Sequence, residues 1–162
     1  MQQFNLKAFV EAYSLFSAST LDGLLEFYHR DVAFIDPVHR TDGRAELERY
    51  FRQMAQGLID CRFQFDDLTQ TDDQVFLAWT MHLRHRQLRS GQTVTVSGFS
   101  HLKLRDDLVE YHRDYYDLGE MLYEQIPLLG PMIGWLKRRL AGESSNSVQA
   151  SHARQRGTAY EH

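Results

Sequence analysis

The chain has little cysteine, no excess of positive charge and no long apolar run. Its 162 residues include one cysteine, which excludes an internal disulfide bond and a metal site built from several cysteines. The formal net charge of −4 at pH 7 argues against a general nucleic-acid binder, because such a protein presents a basic face. No stretch approaches the roughly 18 apolar residues that a membrane-spanning helix needs.

The N-terminal residues also lack the features of a secretory signal. The stretch MQQFNLKAFVEAY does not combine a basic region with a continuous apolar run. We therefore expect a cytoplasmic protein. Hydrophobic residues make up 43% of the chain and charged residues 25%, which is typical of a soluble domain with a sizeable core.

The hydrophobic pattern changes once along the chain. Up to residue 58, apolar residues recur at helical spacing in three segments, and the strand-like stretch VAFID lies between the second and the third. From residue 61, apolar and polar residues alternate in four segments whose joints, TDD, SG and DD, suit tight turns. The sequence therefore predicts an α+β fold, in which a cone-shaped, curved antiparallel sheet wraps around three N-terminal helices, with extra C-terminal helices.

Three regions are expected along the chain. Residues 1–123 should form the domain, residues 124–142 an amphipathic helical extension, and the polar residues 143–162 a disordered tail. The segment IPLLGPMIGWLKRR, residues 126–139, carries too much apolar surface to stay exposed. Packing on the domain, a lid over a pocket and contact with an anionic membrane surface remain alternatives for it, and membrane contact is the least favoured.

The stretch FIDPVH, residues 34–39, places a carboxylate at the end of an apolar strand. Asp36 can cap the turn that follows, or it can serve as an acid–base group in a pocket. Strand alternation puts His112, Asp114 and Tyr116 on one face of the last strand, together with Glu110. Two carboxylates and an imidazole suit proton transfer, although a structural ion pair would also explain the last strand.

Two longer stretches carry a family resemblance. They are AYSLFSASTLDGLLEFYHRDVAFIDPVH with the helix GRAELERYF after it, and GFSHLKLRDDLVEYHRDYYD. In these stretches and in the order of its elements, the chain resembles the nuclear transport factor 2-like superfamily, which includes SnoaL-like proteins and ketosteroid isomerases. The resemblance covers residues 4–123. It implies that Asp36 is a general base and that Tyr13 donates a hydrogen bond to a developing oxyanion. The second oxyanion donor of ketosteroid isomerases is a protonated aspartic acid, and Ser100 stands at the matching position, which argues against steroid isomerisation itself.

The resemblance also implies which side chains look into the cone. Candidate catalytic residues are Asp36, His112, Asp114, Tyr13 and Tyr116, and candidate ligand contacts are Trp79, Met81, Ser100, Tyr28, Phe51 and His39. The opposite, convex face would carry Phe99, His101, Tyr111 and Tyr115. Many members of the superfamily dimerise through that face, so we expect a homodimer.

The sequence thus predicts a protein that binds a small hydrophobic molecule. Isomerase, cyclase or hydrolase chemistry would proceed by acid–base catalysis without a cofactor, and no metal site is expected because the histidine spacing fits no compact metal motif. A water held between Asp36 and Asp114 would instead resemble limonene epoxide hydrolases. The competing hypothesis is a non-catalytic ligand-binding or protein-interaction module. Catalysis requires Asp36 to reach another polar side chain inside an accessible cavity.

Overall fold

The computed structural model describes residues 4–88, 91–121 and 138. Over these residues the elements follow in the order α1 (Leu6–Ser14), α2 (Leu21–Leu25), β1 (Tyr28–Ile35), β2 (Arg40–Asp42), α3 (Arg44–Met54), β3 (Leu58–Gln70), β4 (Gln74–His85), β5 (Val94–Arg105), β6 (Leu108–Tyr116) and α4 (Leu118–Met121). The six strands form one curved, unclosed sheet in the order β2-β1-β6-β5-β4-β3. The predicted α+β fold with three N-terminal helices is confirmed.

Local sequence signals set the ends of the helices. The side-chain oxygen of Asn5 accepts a hydrogen bond from the backbone N–H of Ala8 at 3.0 Å and so caps the start of α1. Gly43 precedes α3 with a φ of 94°, a conformation that glycine adopts without a steric penalty. The apolar side of α3 buries Leu47 and Phe51 against the sheet, so the helix covers the concave face.

The predicted meander of four antiparallel strands is present as β3 to β6. The sheet as a whole is mixed, however, because β1 pairs with β6 in parallel and places Phe34 opposite His112. The expectation of a purely antiparallel sheet was therefore wrong at this one pair. Alternation within a strand reports which face is buried, but it carries no information about the direction of a distant partner strand.

Two predicted placements need correction. The helical spacing of apolar residues from Leu21 to Tyr28 predicts that the second helix includes Tyr28, but α2 ends at Leu25. Tyr28 instead begins β1 and is fully buried opposite Val109. Val109 and Glu110 were assigned to the wrong faces, because Val109 is buried on the same side as His112. The β5–β6 register shifts between Lys103 and Leu104, and this irregularity breaks the alternation at the start of β6.

The convex face of the sheet carries exposed aromatic side chains, as predicted. Phe99 and Tyr115 are 40% and 46% exposed. Phe76 stacks against Phe99 and His101, with ring centroids 6.1 and 4.8 Å apart. This face fits the expected contact surface of a homodimer, and the homodimer stays a prediction.

The C-terminal predictions fall largely outside the described residues. The helical extension at 124–142, apart from residue 138, and the tail at 143–162 lie beyond them, as does the role expected for residues 126–139. In the part of the chain that the structure describes, no helix is long and apolar enough to cross a membrane.

Candidate functional site

A chain of hydrogen bonds crosses the floor of the cone and converges on Asp114. The Tyr28 hydroxyl lies 2.8 Å from Nδ1 of His112, and Nε2 of His112 lies 2.7 Å from Oδ1 of Asp114. From the other side, the Trp79 indole N–H donates to Oγ of Ser100 at 2.8 Å, and the Ser100 hydroxyl donates to the same Oδ1 at 2.5 Å. Strands β4, β5 and β6 supply Trp79, Ser100, His112 and Asp114 from adjacent positions, and β1 supplies Tyr28, so the pairing of the strands builds this hydrogen-bond relay.

The donors in this relay all point towards the carboxylate. Because the Ser100 hydroxyl accepts from Trp79, its own proton is available for Asp114. A neutral His112 that carries its proton on Nε2 donates to Asp114 and accepts from Tyr28 at Nδ1, which satisfies both ring nitrogens. Asp114 thereby acts only as an acceptor, the role of an ionised carboxylate. Both donors use Oδ1, and no described residue donates to Oδ2.

The stretch FIDPVH contains the end of β1 and the turn that leads to β2, and Asp36 stabilises that turn. Its Oδ1 accepts from the backbone N–H groups of Val38 at 2.7 Å and His39 at 2.8 Å. Its Oδ2 accepts from the Tyr50 hydroxyl at 2.6 Å. Asp36 therefore caps the turn and also reaches a polar side chain in the cleft, so it meets the geometric condition set for catalysis. Both of its oxygens are already occupied by donors.

An open cleft leads from solvent to these groups. It has a volume of about 1120 Å³, and Asp36, Asp114, Tyr50 and Tyr116 all line it. A drug-sized ligand typically occupies a pocket of about 300–1,000 Å³, so the cleft has room for one. A separate void of about 10 Å³ adjoins Asp114 below the floor, which is close to the space that one water molecule requires.

The surroundings of the tyrosines around the cleft favour the protonated form of the phenol even more than water does. Burial and then the Asp36 and Asp114 carboxylates raise the pKa of Tyr116. Burial and the hydrogen bond to Asp36 raise the pKa of Tyr50. Burial also raises the pKa of Tyr13, with smaller contributions from Tyr28 and Asp114. A protonated phenol can donate a hydrogen bond to a ligand oxygen, and the Tyr116 hydroxyl has no hydrogen-bond partner among the described residues.

Most of the predicted site residues come together at this cleft. Among the candidate catalytic and ligand-contacting residues, those that line it are Tyr13, Asp36, His39, Trp79, Met81, Asp114 and Tyr116. Ser100 and His112 adjoin the small void below the floor. Tyr28 and Phe51 are fully buried and do not line the cleft. Tyr28 acts on the site through His112, and Phe51 supports it from the core.

Sequence reasoning did not identify Tyr50 and Thr41 as site residues. Tyr50 belongs to the apolar side of α3, three residues after Leu47, so its helical spacing favoured a role in the core. Thr41 lies on β2 opposite Phe34, lines the cleft, and buries a hydroxyl that has no partner among the described residues. Among all the residues that the structure describes, no group of three His, Cys, Asp or Glu side chains is placed to hold a metal ion.

Comparisons with known proteins agree with this architecture. The model of the SnoaL-like domain matches residues 6–112. A candidate polyketide cyclase from Xanthomonas campestris is 25% identical, with a TM-score of 0.59 over 72% of this chain and 90% of that one. A nuclear transport factor 2-like protein of unknown function from Burkholderia pseudomallei is 16% identical, with a TM-score of 0.65 over 75% and 94%.

A third solved structure shares the fold at lower identity. It is a protein with a ketosteroid isomerase-like fold from Catenulispora acidiphila, solved in complex with trimethylamine; it is 14% identical, with a TM-score of 0.63 over 74% of this chain and 89% of that one. No curated protein matches the sequence. The family model spans more than half of the chain and includes the turn that carries Asp36 and the part of β6 up to His112, so the chain belongs to the SnoaL-like domain family.

Proposed function

We propose that the cleft binds a small hydrophobic molecule and that Asp114 acts on it as a general base. The chemistry would be isomerisation, cyclisation or hydrolysis by proton transfer. The observation that carries this proposal is the asymmetry of Asp114, whose Oδ1 accepts from Ser100 and His112 while no described residue donates to Oδ2. The cleft lining, which Asp114 shares, gives a ligand access to that carboxylate.

The relay supports a base by fixing the carboxylate in one orientation. The side chain of Asp114 is 13% exposed, so little water competes for its Oδ2. A base that is already oriented avoids the cost of ordering it during the reaction. Asp36 lies on the same cleft, but two backbone N–H groups and Tyr50 occupy its oxygens. Asp114 is therefore the better candidate, and Asp36 as base is the competing assignment.

Tyr116 would supply the complementary hydrogen bond. It lines the cleft and its pKa is raised by burial and then by the carboxylates, so it stays protonated at neutral pH. When a base removes a proton next to a carbonyl group, negative charge develops on the carbonyl oxygen, and a placed donor stabilises it. The likeness to the candidate polyketide cyclase from Xanthomonas campestris supports cyclisation among these reactions.

Deuterium exchange tests the base without knowledge of the natural substrate. The probe is 2-tetralone, a hydrophobic ketone with acidic C–H bonds, incubated with the protein in D2O and followed by proton NMR. We expect exchange above the buffer rate, and we expect Asp114→Asn to lower it by about 10²–10⁴-fold. Asp67→Asn is the matched control, because Asp67 is exposed on β3 and loses the same charge.

The outcomes separate the two assignments and the non-catalytic alternative. A larger loss in Asp36→Asn than in Asp114→Asn would assign the base to Asp36. A wild-type rate equal to that of buffer, with the ketone bound, would favour a ligand-binding module. That module is a real competitor, because the relay also satisfies polar groups that would otherwise be buried without partners. The trimethylamine complex of the Catenulispora protein is evidence about that protein, since the likeness carries only the fold.

A further inference from the structure

The cleft contains two mostly buried carboxylates, and no lysine or arginine among the described residues is buried. Asp36 is 9% exposed, and the side chain of Asp114 is 13% exposed. The hydrogen bonds that reach them come from backbone N–H groups, hydroxyls and His112. No lysine or arginine of the described chain lies within ion-pair distance of either carboxylate. Among the described residues, no lysine or arginine therefore neutralises the negative charge inside the cleft.

The basic residues of the cleft lie at its mouth. Arg49 is 76% exposed and its guanidinium is 3.4 Å from the carboxylate of Glu46, so its charge is offset and screened by solvent. Arg86 and His39 are exposed as well, and His85 places Nε2 2.8 Å from the carbonyl oxygen of Gln56. None of these four side chains forms an ion pair with Asp36 or Asp114, and His39 reaches Asp36 only through its backbone N–H.

Aromatic rings make up much of the remaining wall. The rings that line the cleft belong to Tyr13, Phe16, Phe34, Tyr50, Phe63, Trp79 and Tyr116. The faces of such rings attract organic cations, most strongly when water is excluded. The pKa values of Tyr50 and Tyr116 are raised by burial first and also by both carboxylates. Asp36 and Asp114 therefore act on the same part of the cleft.

Thr41 supplies an independent indication of a ligand. The residue is 3% exposed, it lines the cleft, and its Oγ1 has no hydrogen-bond partner in the described part of the chain. Buried hydroxyls in folded proteins nearly always have a partner. A polar atom of a bound molecule would provide one.

We propose that the cleft selects a hydrophobic organic cation, such as an alkylammonium or arylalkylammonium compound that also carries a polar group. The cationic group would lie among the rings, with Asp36 and Asp114 as counter-charges and the polar group near Thr41. The positive charge would also acidify neighbouring C–H bonds of the ligand, which assists proton removal by Oδ2 of Asp114. This inference rests on the proposed function in so far as the cleft must bind a small molecule, and it does not require turnover.

Three probes of nearly equal size and shape test the charge preference. Choline is the cation, 3,3-dimethylbutan-1-ol its neutral isostere, and 3,3-dimethylbutanoate the anion. Binding of each to the wild-type full chain is measured by titration with NMR of the isotopically labelled protein. We expect choline to bind at least about tenfold more tightly than the alcohol, because only the cation gains from the rings and carboxylates, and the anion to bind most weakly. Equal or tighter binding of the alcohol, or no choline binding at millimolar concentration, would overturn the inference.

Carboxylate variants then locate the preference. Asp114→Asn and Asp36→Asn should each reduce the ratio of choline to alcohol affinity, while the exposed control Asp67→Asn should leave it unchanged. A ratio that survives both cleft substitutions also rejects the inference. The comparison among probes uses the wild-type protein, so it holds even if a buried variant fails to fold. Exchange of 2-tetralone without a cation preference would leave the proposed function intact, whereas a cation preference without exchange would leave only this inference.

Discussion

Alanine at position 98 tests whether the position of the Trp79 ring maintains the relay. A Cβ atom on Gly98 would lie 2.2, 2.4 and 2.6 Å from Cη2, Cζ2 and Cζ3 of Trp79. Carbon atoms in contact are about 3.5–4.0 Å apart, so the indole has to move by more than about 1 Å. The backbone cannot easily absorb this shift, because Gly98 pairs with Trp79 in the ladder between β4 and β5. The movement takes the indole N–H away from Ser100, which it now contacts at 2.8 Å.

The expected magnitude combines two effects. Overpacking of a filled core costs about 1–3 kcal/mol, and a lost hydrogen bond costs about 1 kcal/mol. We therefore expect Gly98→Ala to lower the free energy of unfolding by about 2–4 kcal/mol, measured by urea denaturation with an unchanged m-value. The matched control is Gly23→Ala in α2, where a new Cβ meets nothing within 4 Å. Since alanine favours a helix over glycine, that variant should gain about 0.5–1 kcal/mol.

A double substitution decides whether the Trp79 ring is the cause. In a Trp79→Leu background the clash is relieved, so Gly98→Ala should cost less than about 1 kcal/mol. The reasoning is refuted if Gly98→Ala is as stable as the wild type, or if the same loss occurs in both backgrounds. Deuterium exchange on the folded variant should also fall, because Ser100 loses the donor that orients it towards Asp114.

Two further predictions concern buried ionisable groups. Tyr28→Phe leaves Nδ1 of His112 without its 2.8 Å partner, so the free energy of unfolding, measured by urea denaturation, should fall by about 1–3 kcal/mol. The control Tyr115→Phe, on the exposed face, should change it by less than about 0.5 kcal/mol, and equal effects of the two substitutions would contradict the prediction. Burial raises the pKa of Cys61 from 9.0 to about 12, so the neutral thiol stabilises the fold fully below pH 9, and this contribution is lost as the pH rises towards 12. Between pH 8 and pH 10 the free energy of unfolding should therefore fall by about 1 kcal/mol more in the wild type than in Cys61→Ala, measured by urea denaturation at both pH values. The same fall in both proteins would contradict a raised pKa of Cys61.

The sequence predicted the sheet well wherever one face is buried along a regular strand. In β4 and β5 the buried residues alternate, so alternation placed Trp79 and Met81 on one face of β4 and Ser100 on one face of β5, and the family resemblance implied that these faces look into the cone. The same reasoning failed at Val109, because alternation assumes an unbroken ladder and β6 is irregular there. The apolar neighbours of Tyr28 match helical spacing, so the sequence predicted a helix there. Tyr28 belongs to a strand because it pairs with Val109 of β6, and such a distant partner cannot be read from local spacing.

The candidate site was predictable in its members more than in its bonds. FIDPVH pointed to Asp36 as a carboxylate at the pocket, and Asp36 lines the cleft, caps the turn and accepts from the Tyr50 hydroxyl, while its acid–base role stays a prediction. Which oxygen accepts from which donor depends on distances of a few tenths of an ångström between separate strands. Residue spacing carries no such information. The same limit concealed Tyr50, whose hydroxyl reaches Asp36 only because α3 packs against β1.

Ser100 shows how one residue redirects the chemistry of the pocket. The resemblance implies that Ser100 stands where ketosteroid isomerases have a protonated aspartic acid, which donates a hydrogen bond to the ligand. The Ser100 hydroxyl instead donates to Asp114 and accepts from Trp79. Its proton is committed within the protein, so it cannot stabilise an oxyanion. The Tyr116 hydroxyl lines the same cleft and has no hydrogen-bond partner among the described residues, and burial and then both carboxylates raise its pKa. The loss of one oxyanion donor thus coincides with the gain of an oriented carboxylate on β6, which favours proton abstraction by Asp114 with Tyr116 as the donor.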